Sequence, residues 1–200
     1  MDLAHENRNV GPAVLASLLL VLASMALAAD SANQSPPEHF FTLTFGDLLE
    51  ELRIARDQKK IGMLLFFEAD ECPYCQYMND NIFNQIRVLE WYRERFINIA
   101  VDIHGDIEII DFKGITLPSK KFADQREIFL TPVISFIDLN GNEVYRHLGM
   151  IKTPAEFLLL GQFIEDKQYL NTTYKGFAES NGMPNSDNSL TTPTAAGDAT

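Results

Sequence analysis

The chain has only two cysteines, Cys72 and Cys75, in 200 residues. That excludes a scaffold stapled by several disulfides and a zinc site built from four cysteines. Histidine offers no substitute, because His5, His39, His104 and His147 stand singly along the sequence. No metal site is therefore expected. Positive charge is scarce too: 16 Lys and Arg stand against 28 Asp and Glu, a formal net charge of −12. Nucleic-acid recognition rests on basic patches, so no nucleic-acid partner is expected. An acidic surface favours solubility or basic partners. No internal repeat is present. What remains is a chain of single-domain length with 46% hydrophobic residues, enough for an ordinary core.

One stretch organises the rest: Phe66-Phe67-Glu68-Ala69-Asp70-Glu71-Cys72-Pro73-Tyr74-Cys75. The apolar run from Gly62 to Phe67 reads as a buried strand, and Met78, Ile82, Phe83, Ile86 and Leu89 predict a helix from Gln76 towards Trp91. Pro73 suits the first helical position, where its missing N–H costs nothing. Cys72 then falls at or near the N-cap, facing the unpaired N–H groups and the positive end of the helix dipole. A thiolate is stabilised there, and the thiolate is the attacking species. Cys75 lies one turn later on the same side, placed to attack a mixed disulfide on Cys72. Cys72 is thus read as the nucleophile and Cys75 as the resolving thiol of a redox-active disulfide. As a purely structural crosslink, so small a ring would remove little unfolded-state entropy.

The order strand, Cys-Pro-Tyr-Cys, helix, strand, helix, Thr-Pro, strand, strand, helix resembles the thioredoxin superfamily from Phe40 to Tyr169. Within it, the chain is most similar to exported thioredoxin-like proteins of the SoxW type. The matching words are Phe-Phe-Glu before the cysteines, Phe83, Val101-Asp102-Ile103 with Gly105-Asp106, Thr131-Pro132, Asp138-x-Asn140-Gly141 and Leu148-Gly149. The resemblance implies an α/β thioredoxin fold, a central mixed sheet flanked by helices, with residues 104–118 as an insertion in the crossover before the cis-proline strand. It implies a cis Thr131–Pro132 bond beside the dithiol, with the Thr131 backbone pairing with an extended substrate. Pro73, Tyr74, Thr131 and Pro132 are accordingly assigned to tuning and to the substrate groove.

The activity implied is that of a cofactor-free thiol–disulfide oxidoreductase running as a reductase. Electrons would pass from a membrane thiol transporter to exported proteins with oxidised cysteines, and a monomer is expected. A disulfide oxidase or isomerase using the same residues is one alternative. A copper(I) chaperone holding the ion on two soft thiolates is another, of a different class. Two departures from the family stand out. Phe66 occupies the position, six residues before the first cysteine, where thioredoxins keep a buried acid. Glu68 shares its face by strand alternation and is the candidate proton shuttle, with a pKa raised by partial burial. Asp70 and Glu71 adjoin Cys72 and oppose its ionisation.

The remaining boundaries follow from pattern. Ala13 to Ala29 is apolar and ends in Ala26-Leu27-Ala28, which reads as a secretory signal peptide over residues 1–28 and implies a periplasmic location. An uncleaved membrane anchor is the alternative, since the run approaches the ~20 residues of a span. Residues 29–39 read as a linker, 40–170 as the thioredoxin-like domain and 171–200 as a disordered tail. Phe45, Leu48, Leu49, Leu52 and Ala55 predict a first helix capped from Thr44. Phe96 to Ile103 predicts a second strand, Asp106 to Ile109 a hairpin or rim loop, and Ser119 an N-cap. Val133–Asp138 and Glu143–His147 are joined by Asn140-Gly141, which favours a type I′ turn. Thr153-Pro154-Ala155-Glu156 caps a last helix that turns Phe157, Leu160, Gly161 and Ile164 inward.

Overall fold

The computed structural model describes residues 39–183. The signal-peptide reading lies outside the described residues, as do the linker up to residue 38 and the tail beyond residue 183. Strand β1 (Gly62–Glu68) runs parallel to β2 (Phe96–Asp102). On its other side it runs antiparallel to β5 (Val133–Ile137), which pairs antiparallel with β6 (Glu143–Leu148). The sheet order is therefore β2-β1-β5-β6. Between β2 and β5 the chain makes a separate hairpin, β3 (Glu108–Ile110) with β4 (Thr116–Pro118).

Helices cover both faces of the sheet. Leu64 and Phe66 of β1 pack with Met78, Val88, Tyr92, Phe157, Leu160 and Phe163. These come from α2 (Pro73–Met78), α3 (Ile86–Arg95) and α5 (Pro154–Glu165). Met63, Leu65 and Phe67 face the other way, onto Leu48, Leu52, Phe122 and Ala123 of α1 (Leu48–Asp57) and α4 (Ser119–Gln125). A strand buried on both faces needs apolar residues at every position, which is why β1 is a continuous apolar run. Gly62 opens it because a Cβ there would run into the backbone oxygen of Ile137. On the α2–α3–α5 face the core is largely aromatic. Phe40 stacks on Phe83 at 4.4 Å and Tyr92 on Phe157 at 4.0 Å. The buried Tyr92 hydroxyl donates to the Phe157 carbonyl at 2.6 Å.

The predicted helix after the dithiol is broken. A π-helical turn (Asn79–Phe83) follows α2, and α3 starts afresh at Ile86. The break rotates the second half, so Ile86 is exposed while Val88, Leu89 and Tyr92 point inward. Asp47, not Thr44, caps α1 by accepting from the Glu50 N–H at 2.9 Å, and this leaves Phe45 and Leu49 exposed. Pro118 takes the N-cap position of α4. The Ser119 hydroxyl is instead spent on the Asp102 carbonyl, 2.8 Å away. At the β5–β6 turn Gly141 has φ +84, whereas Asn140 is not among the positive-φ residues. The turn is therefore a three-residue loop with glycine in the left-handed position, not type I′. The Asp138 carboxylate braces it by accepting from the N–H groups of Asn140 and Asn142.

The reading of residues 171–200 as disordered is corrected over its first part. Thr173 caps a helix α6 (Tyr174–Ser180), whose Tyr174 and Phe177 pack on the core beside Phe163. Polar composition hid two aromatic residues at helical spacing.

Candidate active site

Cys72 sits at the N-cap of α2 in extended conformation, with Pro73 in the first turn. The sheet delivers it there: β1 ends at Glu68, and the Cys72 N–H donates back to the Ala69 carbonyl. Cys72 and Cys75 are joined as a disulfide, their Cα atoms 5.2 Å apart. The Cys75 N–H lies 3.1 Å from Cys72 Sγ and donates to it. The two cysteines differ in access, with Cys72 8% and Cys75 2% exposed.

Two depressions meet at the disulfide. The larger is a groove of about 600 Å³ lined by Ala69 to Tyr74 on one side and by Asp102, Ile103, His104, Phe129, Leu130 and Thr131 on the other. Cys72 lines it and Cys75 does not. The Thr131–Pro132 peptide bond is cis. Pro132 is buried, while Thr131 is half-exposed at the groove wall. The smaller depression, about 220 Å³, is lined by Glu68, Cys72, Cys75, Gln76, Asn79 and Asp102 among others.

The structure therefore brings Cys72, Pro73, Tyr74 and Thr131 to one groove, and Glu68 to an adjoining recess that shares Cys72 and Asp102 with it. Burial pushes the Glu68 carboxyl above its ordinary value, and the charges of Asp102 and Asp70 push the same way. A hydrogen bond donated by Asn79 Nδ2 at 3.3 Å opposes them. Such a carboxyl sits closer to neutrality in its proton affinity, the property a proton carrier needs. Asp102 is held in place: its carboxylate accepts from the His104 N–H at 2.9 Å and its carbonyl from Ser119. Sequence reasoning assigned no role to Asn79, Asp102, Phe129 or Leu130. For Asn79 a signal was available, since residues 72, 75 and 79 fall on one face at helical period. Phe129 and Leu130 sit at the end of an irregular crossover, where no period marks them.

The insertion at 104–118 contributes only His104 to the groove. Its hairpin turns away and packs on the start of α1, where Ile110 N–H donates to the Gly46 carbonyl and Ile109 and Leu117 are buried. Gly46 has φ +86, and a Cβ there would lie 2.5 Å from the Glu108 carbonyl oxygen, so this contact requires glycine. Among the described residues no group of three or more His, Cys, Asp or Glu side chains is arranged to hold a metal ion. No helix of the described residues is long and apolar enough to cross a membrane.

A mixed sheet between two helical layers, carrying a disulfide of Cys-x-x-Cys spacing at a helix start, defines a thiol–disulfide oxidoreductase of thioredoxin fold. Residues 48–165 match the thioredoxin-like domain family, and the chain belongs to it. A thioredoxin-fold protein from Helicobacter pylori is 23% identical, with a TM-score of 0.51, over 62% of this chain and 86% of that one. A thioredoxin from Thermus thermophilus is 25% identical, with a TM-score of 0.45, over 68% and 91% of the two chains. The oxidised C-terminal domain of DsbD from Neisseria meningitidis is 20% identical, with a TM-score of 0.42, over 56% and 89%. The first of these supports the fold; the other two are too distant in shape to add to it. No curated protein matches the chain.

Proposed function

We propose that this chain is an exported, SoxW-type reductase of protein disulfides. The observation that carries the mechanism is the asymmetry of the pair, since Cys72 opens on the groove and Cys75 lies behind it. In the reduced enzyme, the Cys72 thiolate attacks one sulfur of a substrate disulfide. A Cys72–substrate bond forms, and the departing substrate sulfur takes up a proton. Cys75, giving its proton to Glu68, then attacks Cys72 Sγ. This releases the second substrate sulfur as a thiolate, which takes up a proton from solvent, and leaves the Cys72–Cys75 disulfide. Two electrons have moved to the substrate, and a membrane dithiol donor must return them.

The direction is supported by charge. A stabilised thiolate favours the reduced form and makes an oxidant, whereas Asp70 and Glu71 beside Cys72 work against ionisation. Export is supported by the apolar run Ala13–Ala29 and its Ala26-Leu27-Ala28 ending.

Equilibration of the Cys72–Cys75 pair against defined glutathione ratios tests the direction. A potential near −270 mV is expected. A value between about −180 and −120 mV would instead assign the protein to the oxidases and isomerases.

A further inference from the structure

The groove has a character of its own. Its lining carries three carboxylates, Asp70, Glu71 and Asp102, but neither lysine nor arginine, and His104 is its one basic side chain. Basic residues of the adjoining segment are engaged elsewhere: Lys120 pairs with Asp106 and Lys121 with Asp124. The same lining carries large apolar side chains beside these carboxylates. Tyr74, Phe129 and Leu130 are 59%, 68% and 82% exposed, large side chains that nothing among the described residues covers. Apolar side chains left open in the lining of a cleft are what a partner's side chains fill on docking.

We propose that the groove selects disulfides in polypeptide segments that carry lysine or arginine beside the cysteine and an apolar residue next along. The segment would lie extended past Thr131. Its basic residues would face Asp70, Glu71 and Asp102, and its apolar residue would rest on Tyr74, Phe129 and Leu130. The same carboxylates discriminate against anionic disulfides, because like charges brought together cost affinity and slow encounter. This inference rests on the oxidoreductase reading, to which it adds the class of substrate.

The test uses two synthetic peptides that are identical apart from Lys or Glu on each side of one cysteine, with leucine outside them. Each cysteine is held as a mixed disulfide with 2-thiopyridine, whose release is followed by absorbance after mixing with the reduced protein. Rates are normalised to those of the same peptides with 2-mercaptoethanol, which removes the peptides' intrinsic difference. The basic peptide is expected to react roughly tenfold faster at low ionic strength, the lower end of electrostatic steering. That preference should shrink to about twofold or less in 0.5 M salt, where the screening length is only a few ångströms. The double variant Asp70→Asn/Glu71→Gln should lose most of it as well. Because the readout is a ratio, a change in the intrinsic reactivity of Cys72 cancels. Equal normalised rates, or a preference that salt leaves untouched, overturns the selectivity and leaves the oxidoreductase reading standing. Failure of both peptides to release thiopyridine, with Cys72 shown to be reduced, overturns the oxidoreductase reading instead. The salt arm needs only the wild-type protein, so misfolding of the variant leaves the test intact.

Discussion

Glu68 is the residue at which folding and exchange place opposite demands on one carboxyl group. Its folded pKa lies above the ordinary carboxylate value, chiefly through burial. An acid shifted upward supports folding in its protonated form. That contribution is complete below the unfolded pKa and is lost as pH rises through the folded one. Glu68→Gln removes the penalty at high pH. The oxidised variant is therefore expected to melt above the wild type at about pH 8, and the gap should close below about pH 4. In exchange the same change removes the proton acceptor for Cys75. Resolution of the Cys72 mixed disulfide should slow by on the order of a hundredfold, the lower end of what a positioned base contributes. The part of that step's pH dependence that follows Glu68 ionisation should disappear with it, leaving only the rise set by ionisation of Cys75 itself. A melting shift without a change in the resolving step would make Glu68 structural only. The placement of Glu68 was legible from strand alternation once the resemblance had marked the position of Phe66, because β1 is regular up to its last residue. Asn79 carried a signal in its helical spacing from Cys72 and Cys75, whereas Asp102, which completes the surroundings, lies on another strand whose period gives no hint of either.

Among the elements, strands and caps were read well where one local rule decided the outcome. Thr153 caps α5 by accepting from the Glu156 N–H at 3.1 Å, as the capping sequence foretold. Helices failed where packing overrode pattern: Ile86 fits the helical period of residues 76–91, yet the π turn rotates it into solvent. The last helix was missed because its anchors are few. Tyr174 donates to the Glu156 carbonyl at 2.8 Å and packs with Phe177 around Phe163. Ending the chain at Leu170 should therefore destabilise the domain by about 2 kcal/mol, from two half-buried aromatic rings at roughly half of a full side-chain burial each. Denaturant unfolding of the truncated and full chains measures this. A truncated chain of unchanged stability would show that α6 is an ornament.

At the scale of the whole molecule, the order of strands and helices was legible because the dithiol, the doubly buried β1 and the Thr-Pro pair mark three fixed points of the topology. Pro73, Tyr74 and Thr131 of the groove were legible through the resemblance, whereas Asp102, His104, Phe129 and Leu130 were not, because they come from segments far apart in the chain. The net charge of −12 acts at this scale too. Exposed pairs such as Arg53 with Glu50 and Asp57 contribute little, so mutual repulsion dominates the electrostatics of folding. Raising salt from about 10 to 150 mM shortens the screening length from roughly 30 to 8 Å and should raise the melting temperature by a few degrees. A fall would mean that attractive pairs prevail. Finally, Asp102 belongs to the groove and to the recess of Glu68 alike, and its charge helps keep the Glu68 proton in place. A cation drawn to Asp102 from the groove weakens that hold, so occupancy of the groove is answered by a proton leaving the recess. Linkage makes the effect reciprocal: the groove grips a basic segment harder once Glu68 has ionised.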